Sequence, residues 1–355
     1  PGTAPGLRRA GRDFGQGHAA ILASGPLARN GSLEDSLAQV LAGLPGPPLP
    51  PPDAEGTGLS TRGQRIAFAR RSGTEGVLDA VVVDDGIRRL ALLLDARGMA
   101  PRHTLLARDA FDAAVRGLPP APGLPPPAPP EEAGGLDGAF TGLHVRHRPN
   151  GEGDEEVLVD TWVLVFHPSG LFSRAVPVAE GGVPAHCRAR PFDCGTYALL
   201  GGGWLRRPDR IRLTEGSGRY GLLDTRELPF ARQDAALRLG DTRLEPAAVL
   251  PPGTVLDGLW SMLAVSAETS ERRELALNRD GRFRRSLERD EGTPRASRAA
   301  TSGRYRLDGF RLLLDAEDGS RDTLALLQPV PGHDGLLLID GEAFLKRPPF
   351  ADTTE

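Results

Sequence analysis

Leu256-Asp257-Gly258-Leu259-Trp260 is followed by Gly281-Arg282-Phe283-Arg284-Arg285 and then by Gly303-Arg304-Tyr305. The same series runs once before, as Leu136-Asp137-Gly138-Ala139-Phe140, Gly170-Leu171-Phe172-Ser173-Arg174 and Gly195-Thr196-Tyr197. The order is kept, and the spacing differs only as insertions in surface loops allow. A repeated unit of this kind speaks to architecture before chemistry: one building block, used twice, each copy with its own aromatic anchors.

Around these anchors the chain reads as short strands and tight turns. Asp280-Gly281, Asp308-Gly309, Asp318-Gly319, Asp334-Gly335 and Asp340-Gly341 are turn dipeptides set between apolar runs. The runs 157–166, 310–314, 324–327 and 336–339 are apolar-rich, the first broken by Asp160 and Thr161 as an exposed stretch would be. Helical periodicity is absent from residue 136 onward. Evenly spaced strands of this kind predict a sandwich or barrel. Two separate barrels and one closed sheet both hide strand edges, and the separate Leu-Asp-Gly opening of each copy favours two adjacent units.

Each copy opens with Leu-Asp-Gly and an aromatic two residues on, then continues through a Gly-x-Phe strand and a Gly-x-Tyr strand. That pattern resembles the lipocalin-like, or calycin-type, antiparallel barrel, in which a Gly-x-Trp near the first strand packs its ring under the barrel floor. Gly258-Leu259-Trp260 matches that motif and Gly138-Ala139-Phe140 is its aromatic variant, so the resemblance covers about 136–347. It implies a fold that is mainly β, with a small apolar ligand held in or between the barrels. Phe140, Phe172, Tyr197, Trp260, Phe283 and Tyr305 are read as core pieces and, where a barrel mouth or the seam between copies gathers them, as ligand contacts.

The N-terminal part differs. Ser32 is placed to cap a helix with Asp35 in the reciprocal position, and Leu33, Leu37, Val40 and Leu41 give it an apolar face. The proline run from Leu44 to Pro52 ends it. A strand at 19–23, a strand at 65–68, and a hairpin of 79–83 with 89–94 turning at Asp84-Asp85-Gly86 follow from the same reading. A closing helix is predicted over Asp109–Leu118. Helix, paired strands and closing helix make an α+β domain. This order, with the final Ala110-Phe111-Asp112-Ala113-Ala114-Val115-Arg116-Gly117-Leu118, resembles the fold shared by the photosystem protein PsbP and the Ran-binding Mog1 family, and no functional residue carries over from it. The expected organisation is an α+β domain over 1–118, a proline-rich linker over 119–135 that is stiff and solvated, and barrel units over 136–250 and 251–350.

Composition narrows the functional classes. A net charge of −4 spread over 43 basic and 47 acidic side chains leaves no field to draw nucleic acid. Lys346 is the only lysine, and the arginine, alanine, glycine and proline content fits a GC-rich bacterial genome. No apolar run is long enough to span a membrane. The chain opens on Pro1 without a start methionine, which leaves room for a removed leader. Cys187 and Cys194 are close enough for a loop to join them as a disulfide, and two unlinked thiols fit the same spacing. A lone close pair favours an oxidising compartment, the cell envelope or the outside, over the cytoplasm.

A search for chemistry finds little. His144, His147, His167 and His186 are the densest histidines, but residues three apart on a strand face opposite ways, so exposed histidines compete with a metal site and no metal is assigned. Gly15-Gln16-Gly17-His18 precedes its strand and cannot cradle a phosphate. Ser217 sits in turn composition. The arginines of 206–212 and 282–285 are interleaved with Asp209, Asp280, Glu288 and Asp290, which suits a solvated barrel exterior. In 282–285, alternation puts Phe283 and Arg285 on one face and Arg282 and Arg284 on the other. The reading is therefore a non-catalytic binding or interaction protein, with no cofactor and with a small apolar ligand or a protein as partner. The alternatives are a barrel enzyme of cyclase or isomerase type using Tyr197, Tyr305 or His167, and a structural assembly protein of the cell envelope.

Overall fold

The computed structural model describes residues 8–347 except 14–17, 25, 45–48, 74–75, 98, 100, 131–134, 150–154, 179, 202–207, 249, 266–269, 291–296 and 330–334. Two units divide the chain: Pro1–Ala128 with Thr214–Arg226, and Pro129–Leu213 with Glu227–Glu355. No helix among the described residues is long and apolar enough to cross a membrane.

Val77 to Val83 is buried at every position, a pattern that belongs to a strand covered on both faces. The surrounding sheet is antiparallel and six-stranded, in the order β1 (Arg8–Asp13), β2 (His18–Ala23), β6 (Arg89–Arg97), β5 (Gly76–Asp84), β4 (Arg65–Gly73), β3 (Ala54–Leu59). Helix α1 (Leu33–Ala42) covers one face, setting Leu33 and Leu37 against Ala67, Leu78, Val82 and Leu93. Its capping box is complete: Ser32 Oγ accepts the Asp35 amide at 3.0 Å and the Asp35 carboxylate accepts the Ser32 amide at 2.9 Å. Helix α2 (Pro101–Arg116) covers the other face with Ala107, Phe111 and Val115. It starts at Pro101 rather than near Asp109, because its first two turns expose Leu105 and Leu106 and so lack the amphipathic signal.

Residues 214–226 belong to this unit although they join two barrel strands in the sequence. They close the β3 edge: the Leu223 amide donates to the Leu59 carbonyl at 2.8 Å, and the Thr61 amide donates to Gly221 at 3.1 Å. Tyr220 enters the core between Phe68 and Phe111, with ring centroids 5.4 and 5.8 Å away. It does so from a left-handed backbone conformation, φ 60°, which a bulky residue adopts only where its surroundings enforce it. The proline-rich stretch is not solvated throughout. Gln64 Nε2 donates to the carbonyls of Leu118 and Pro119, and Ala121 is buried.

The second unit holds two closed antiparallel barrels of eight strands each. The first comprises β7 (Gly138–Pro149), β8 (Glu155–His167), β9 (Leu171–Ser173), β10 (Cys194–Leu200), β11 (Arg210–Glu215), β12 (Asp224–Gln233), β13 (Ala236–Leu239) and β14 (Thr242–Pro246). It closes where Glu245 pairs with Thr141. The second comprises β15 (Gly258–Val265), β16 (Ser270–Leu277), β17 (Arg282–Asp290), β18 (Ser297–Asp308), β19 (Arg311–Ala316), β20 (Arg321–Leu327), β21 (Leu336–Ile339) and β22 (Glu342–Lys346), closing where Trp260 pairs with Lys346. Gly281, Gly309, Gly319 and Gly341 all sit in turns between consecutive strands; Asp334 lies outside the described residues. Among the described residues from 136 onward, where no helical periodicity is expected, one α-helix is present. Helix α3 (Gly182–Ala189) is inserted between β9 and β10, and at eight residues it is too short to show a period against its glycine and proline content.

Apolar side chains on the outside of the barrels pack them together. Ala139, Val163 and Val165 of the first meet Ala325, Leu327 and Leu338 of the second, with Val183 of α3 in the same cluster. A two-way backbone pairing of Ala248 with Gln328 and a 3.2 Å hydrogen bond from Thr141 Oγ1 to the Pro329 carbonyl complete the seam.

Candidate ligand cavity in the second barrel

The repeated residues form one structure in both copies. Leu136, Phe140, Phe172 and Tyr197 belong to the core of the first barrel, and Leu256, Trp260, Phe283 and Tyr305 to that of the second. Tyr197 Oη accepts the Leu136 amide at 3.0 Å and faces the carbonyls of Leu136 and His167, both 3.0 Å away. Tyr305 Oη accepts the Leu256 amide at 2.9 Å and faces the carbonyls of Leu256 at 2.7 Å and Asn278 at 3.2 Å. The amides of Tyr197 and Tyr305 each donate at 2.8 Å to the glycine that opens the Gly-x-Phe strand, Gly170 and Gly281. Burial pushes both phenols above their ordinary pKa. Gly258 is needed because Trp260 folds back over it: a Cβ there would lie 3.2 Å from the indole and 2.6 Å from Lys346 Cε. Lys346, the sole lysine, stands 5.2 Å from the Trp260 ring centroid.

These anchors plug one end of the second barrel. The strand register stacks inward-facing rows above them. Leu277, Phe283 and Gly303 form the lowest row, Leu275, Arg285 and Thr301 the next, and Arg273, Leu287 and Ala299 the third. Gly303 in the lowest row admits no side chain, since a Cβ would meet the Asp315 carbonyl at 2.1 Å. The upper rows line a cavity of about 380 Å³, whose further walls include Leu324, Ile339 and Phe344. That volume is in the lower part of the ~300–1,000 Å³ range of small-molecule pockets.

The cavity is apolar below and charged at its rim. Arg273 joins two carboxylates there, Glu271 at 2.5 Å and Glu342. Arg285 reaches across the barrel to Asp322 of β20 at 2.7 Å, whose register partner is the core residue Leu314. None of the six aromatics singled out by sequence is among the described residues lining this space, and its aromatic wall is Phe344. Phe140, Phe172 and Tyr197 are separated from Trp260, Phe283 and Tyr305, one trio to each barrel core. Glu271, Arg273, Leu287, Ala299 and Thr301 escaped sequence reasoning. Counting by twos from Phe283 and Tyr305 along their strands reaches Arg285, Leu287, Thr301 and Ala299, and that was the available signal.

The remaining candidates lie elsewhere. Cys187 and Cys194 are joined, with sulfurs 2.11 Å and Cα atoms 5.5 Å apart. His186 is buried beside them, 3.4 Å from Asp193, and burial lowers its pKa although Asp193 acts against this. His167 caps its own turn through Ser169, with Nδ1 2.8 Å from the hydroxyl. The side chains of His144, His147 and Asp160 lie outside the described ones, as do Arg206 and Arg207. Among the described residues no cluster of histidine, cysteine and carboxylate is arranged for a metal. Arg210 and Arg212 share Glu227, both at 2.9 Å, and Arg282 lies 3.5 Å from Asp280. No protein-family profile matches the chain, and no curated protein matches it.

Proposed function

We propose that the chain is a non-catalytic binding protein whose second barrel takes a small, largely apolar ligand in the manner of lipocalin-like barrels. The observation that supports this is the cavity of about 380 Å³ in the second barrel, with leucine, isoleucine and phenylalanine walls and a charged rim. The Gly258-Leu259-Trp260 plug is the feature shared with that barrel type. In the same reading, the three-layered N-terminal unit is a PsbP-like module, and the joined cysteine pair suits a bacterial envelope or secreted protein. An enzyme using Tyr197 or Tyr305 gains less support, because both hydroxyls are taken up by backbone groups.

The test is titration of the whole chain with Nile red, a neutral apolar dye, beside native mass spectrometry of the freshly purified protein. Saturable dye binding that is lost in Ala299→Phe, with the unfolding midpoint unchanged, supports the reading. Equal binding by both proteins, or none by either, overturns it.

A further inference from the structure

A second, smaller cavity of about 220 Å³ lies wholly within the N-terminal unit, and its chemistry is the opposite of the barrel's. Arg70, Arg108, Arg116 and Arg219 line it with Asp79, Asp109 and Asp112, and Tyr220 forms part of its wall. The charges do not balance. Asp79 is the shared partner of two guanidinium groups: Arg108 donates to both its oxygens at 3.1 Å, and Arg70 Nε stands 3.3 Å away. Asp112 is divided between Arg116, at 2.7 Å, and the amide of Tyr220. Asp109 is exposed, and Arg219 is exposed with no ion-pair partner among the described residues. Four guanidinium groups face three carboxylates, which leaves one positive charge.

A neutral donor stands among them. The Tyr220 side chain is 3% exposed, and its phenol is held protonated by burial with Asp79 adding to the effect. Its hydroxyl makes no hydrogen bond among the described residues. Tyr220 is brought to this place by the left-handed backbone at φ 60°, the type of local strain that persists where surroundings over-determine a residue. Guanidinium forks match planar oxyanions two bonds at a time. One surplus charge suits a monoanion, since a dianion would invert the local balance.

We propose that this cavity is a binding site for a small carboxylate, held by Arg219 and its neighbouring guanidinium groups and by the Tyr220 hydroxyl. The ligand would bridge α2 and the 217–220 segment. This site does not depend on the barrel reading and stands or falls separately from it.

Calorimetric titration of the whole chain with propionate, at constant ionic strength set by chloride, tests the assignment. Saturable propionate binding is expected, about tenfold weaker in Arg219→Ala, the loss of one charge-assisted contact. Tyr220→Phe keeps the ring between Phe68 and Phe111 and is expected to weaken binding without lowering the unfolding midpoint of the free protein. No saturable binding, or full affinity in Arg219→Ala, overturns the site. Inorganic phosphate binding as tightly as propionate overturns the ligand class.

Discussion

The hydroxyl of Tyr305 accepts the amide of Leu256 at 2.9 Å and lies 2.7 Å from the carbonyl of the same residue, bracketing one buried peptide segment from both sides. Tyr197 does the same to Leu136 in the first barrel. This explains why the third motif of each copy is Gly-x-Tyr rather than Gly-x-Phe. Tyr305→Phe leaves a buried amide without a partner, and the expected loss is about 1–3 kcal/mol. Urea unfolding followed by tryptophan fluorescence measures it. Tyr197→Phe should cost a similar amount, because the geometry is the same; a loss below ~0.5 kcal/mol in both, less than a typical hydrogen bond contributes, would deny the bracket its role.

Arg89 is the corresponding fixed point of the N-terminal unit. It is 5% exposed, pairs with Asp84 at 3.1 Å, and donates to the Ser32 carbonyl at 3.0 Å and Ser36 Oγ at 2.7 Å. It thus ties the β5–β6 hairpin to the first turn of α1. Arg89→Met removes the guanidinium and leaves the Asp84 carboxylate buried with the Gly86 amide and the half-exposed Arg29 as its remaining partners. The expected cost is about 3–5 kcal/mol, the penalty of a broken buried pair. Arg89→Met with Asp84→Leu should recover much of it, and chemical unfolding of both variants checks the sign.

The capping box at Ser32 and Asp35 and the β5–β6 hairpin were legible because each rests on residues close in the chain, and the duplicated barrel because its motifs recur in the same order. Arg285 was legible in part: alternation placed it on the face of Phe283, and that face is the barrel interior. The cavity itself was not legible, since it depends on which rows lie above the plug once eight strands have closed. Tyr220 was opaque for a different reason. It lies in a Gly-Ser-Gly turn composition, and only the fold brings it to Phe68 and Phe111, more than a hundred residues earlier.

Acidification should weaken the first barrel through His186. Burial lowers the pKa of this imidazole in the folded chain, so the unfolded chain takes up the proton first as pH falls. Above the ordinary value of about 6.5 neither state is charged and His186 makes no difference to stability. Below it, stability is lost until the folded pKa is passed, after which the loss is constant. The unfolding midpoint should therefore fall on going from neutral to mildly acidic pH. His186→Gln, which does not titrate, should flatten that part of the curve; an unchanged slope would place the titration elsewhere.

The bond between Cys187 and Cys194 acts on more than its own loop. It ties the end of α3 to the first residue of β10, and Cys187 packs against the cluster in which Val183 meets Val163 and Val165 of the first barrel and Leu327 and Leu338 of the second. The loop it closes is short, for which chain entropy alone predicts a contribution of about 2–3 kcal/mol. Its reduction frees α3 to leave the seam, so the loss should be felt by both barrels. Hydrogen exchange with and without dithiothreitol separates the possibilities. Faster exchange in α3, β8 and β20 together is the expected result for the whole chain. Faster exchange confined to 187–194 would mean that the bond braces the loop alone and that the seam holds without it.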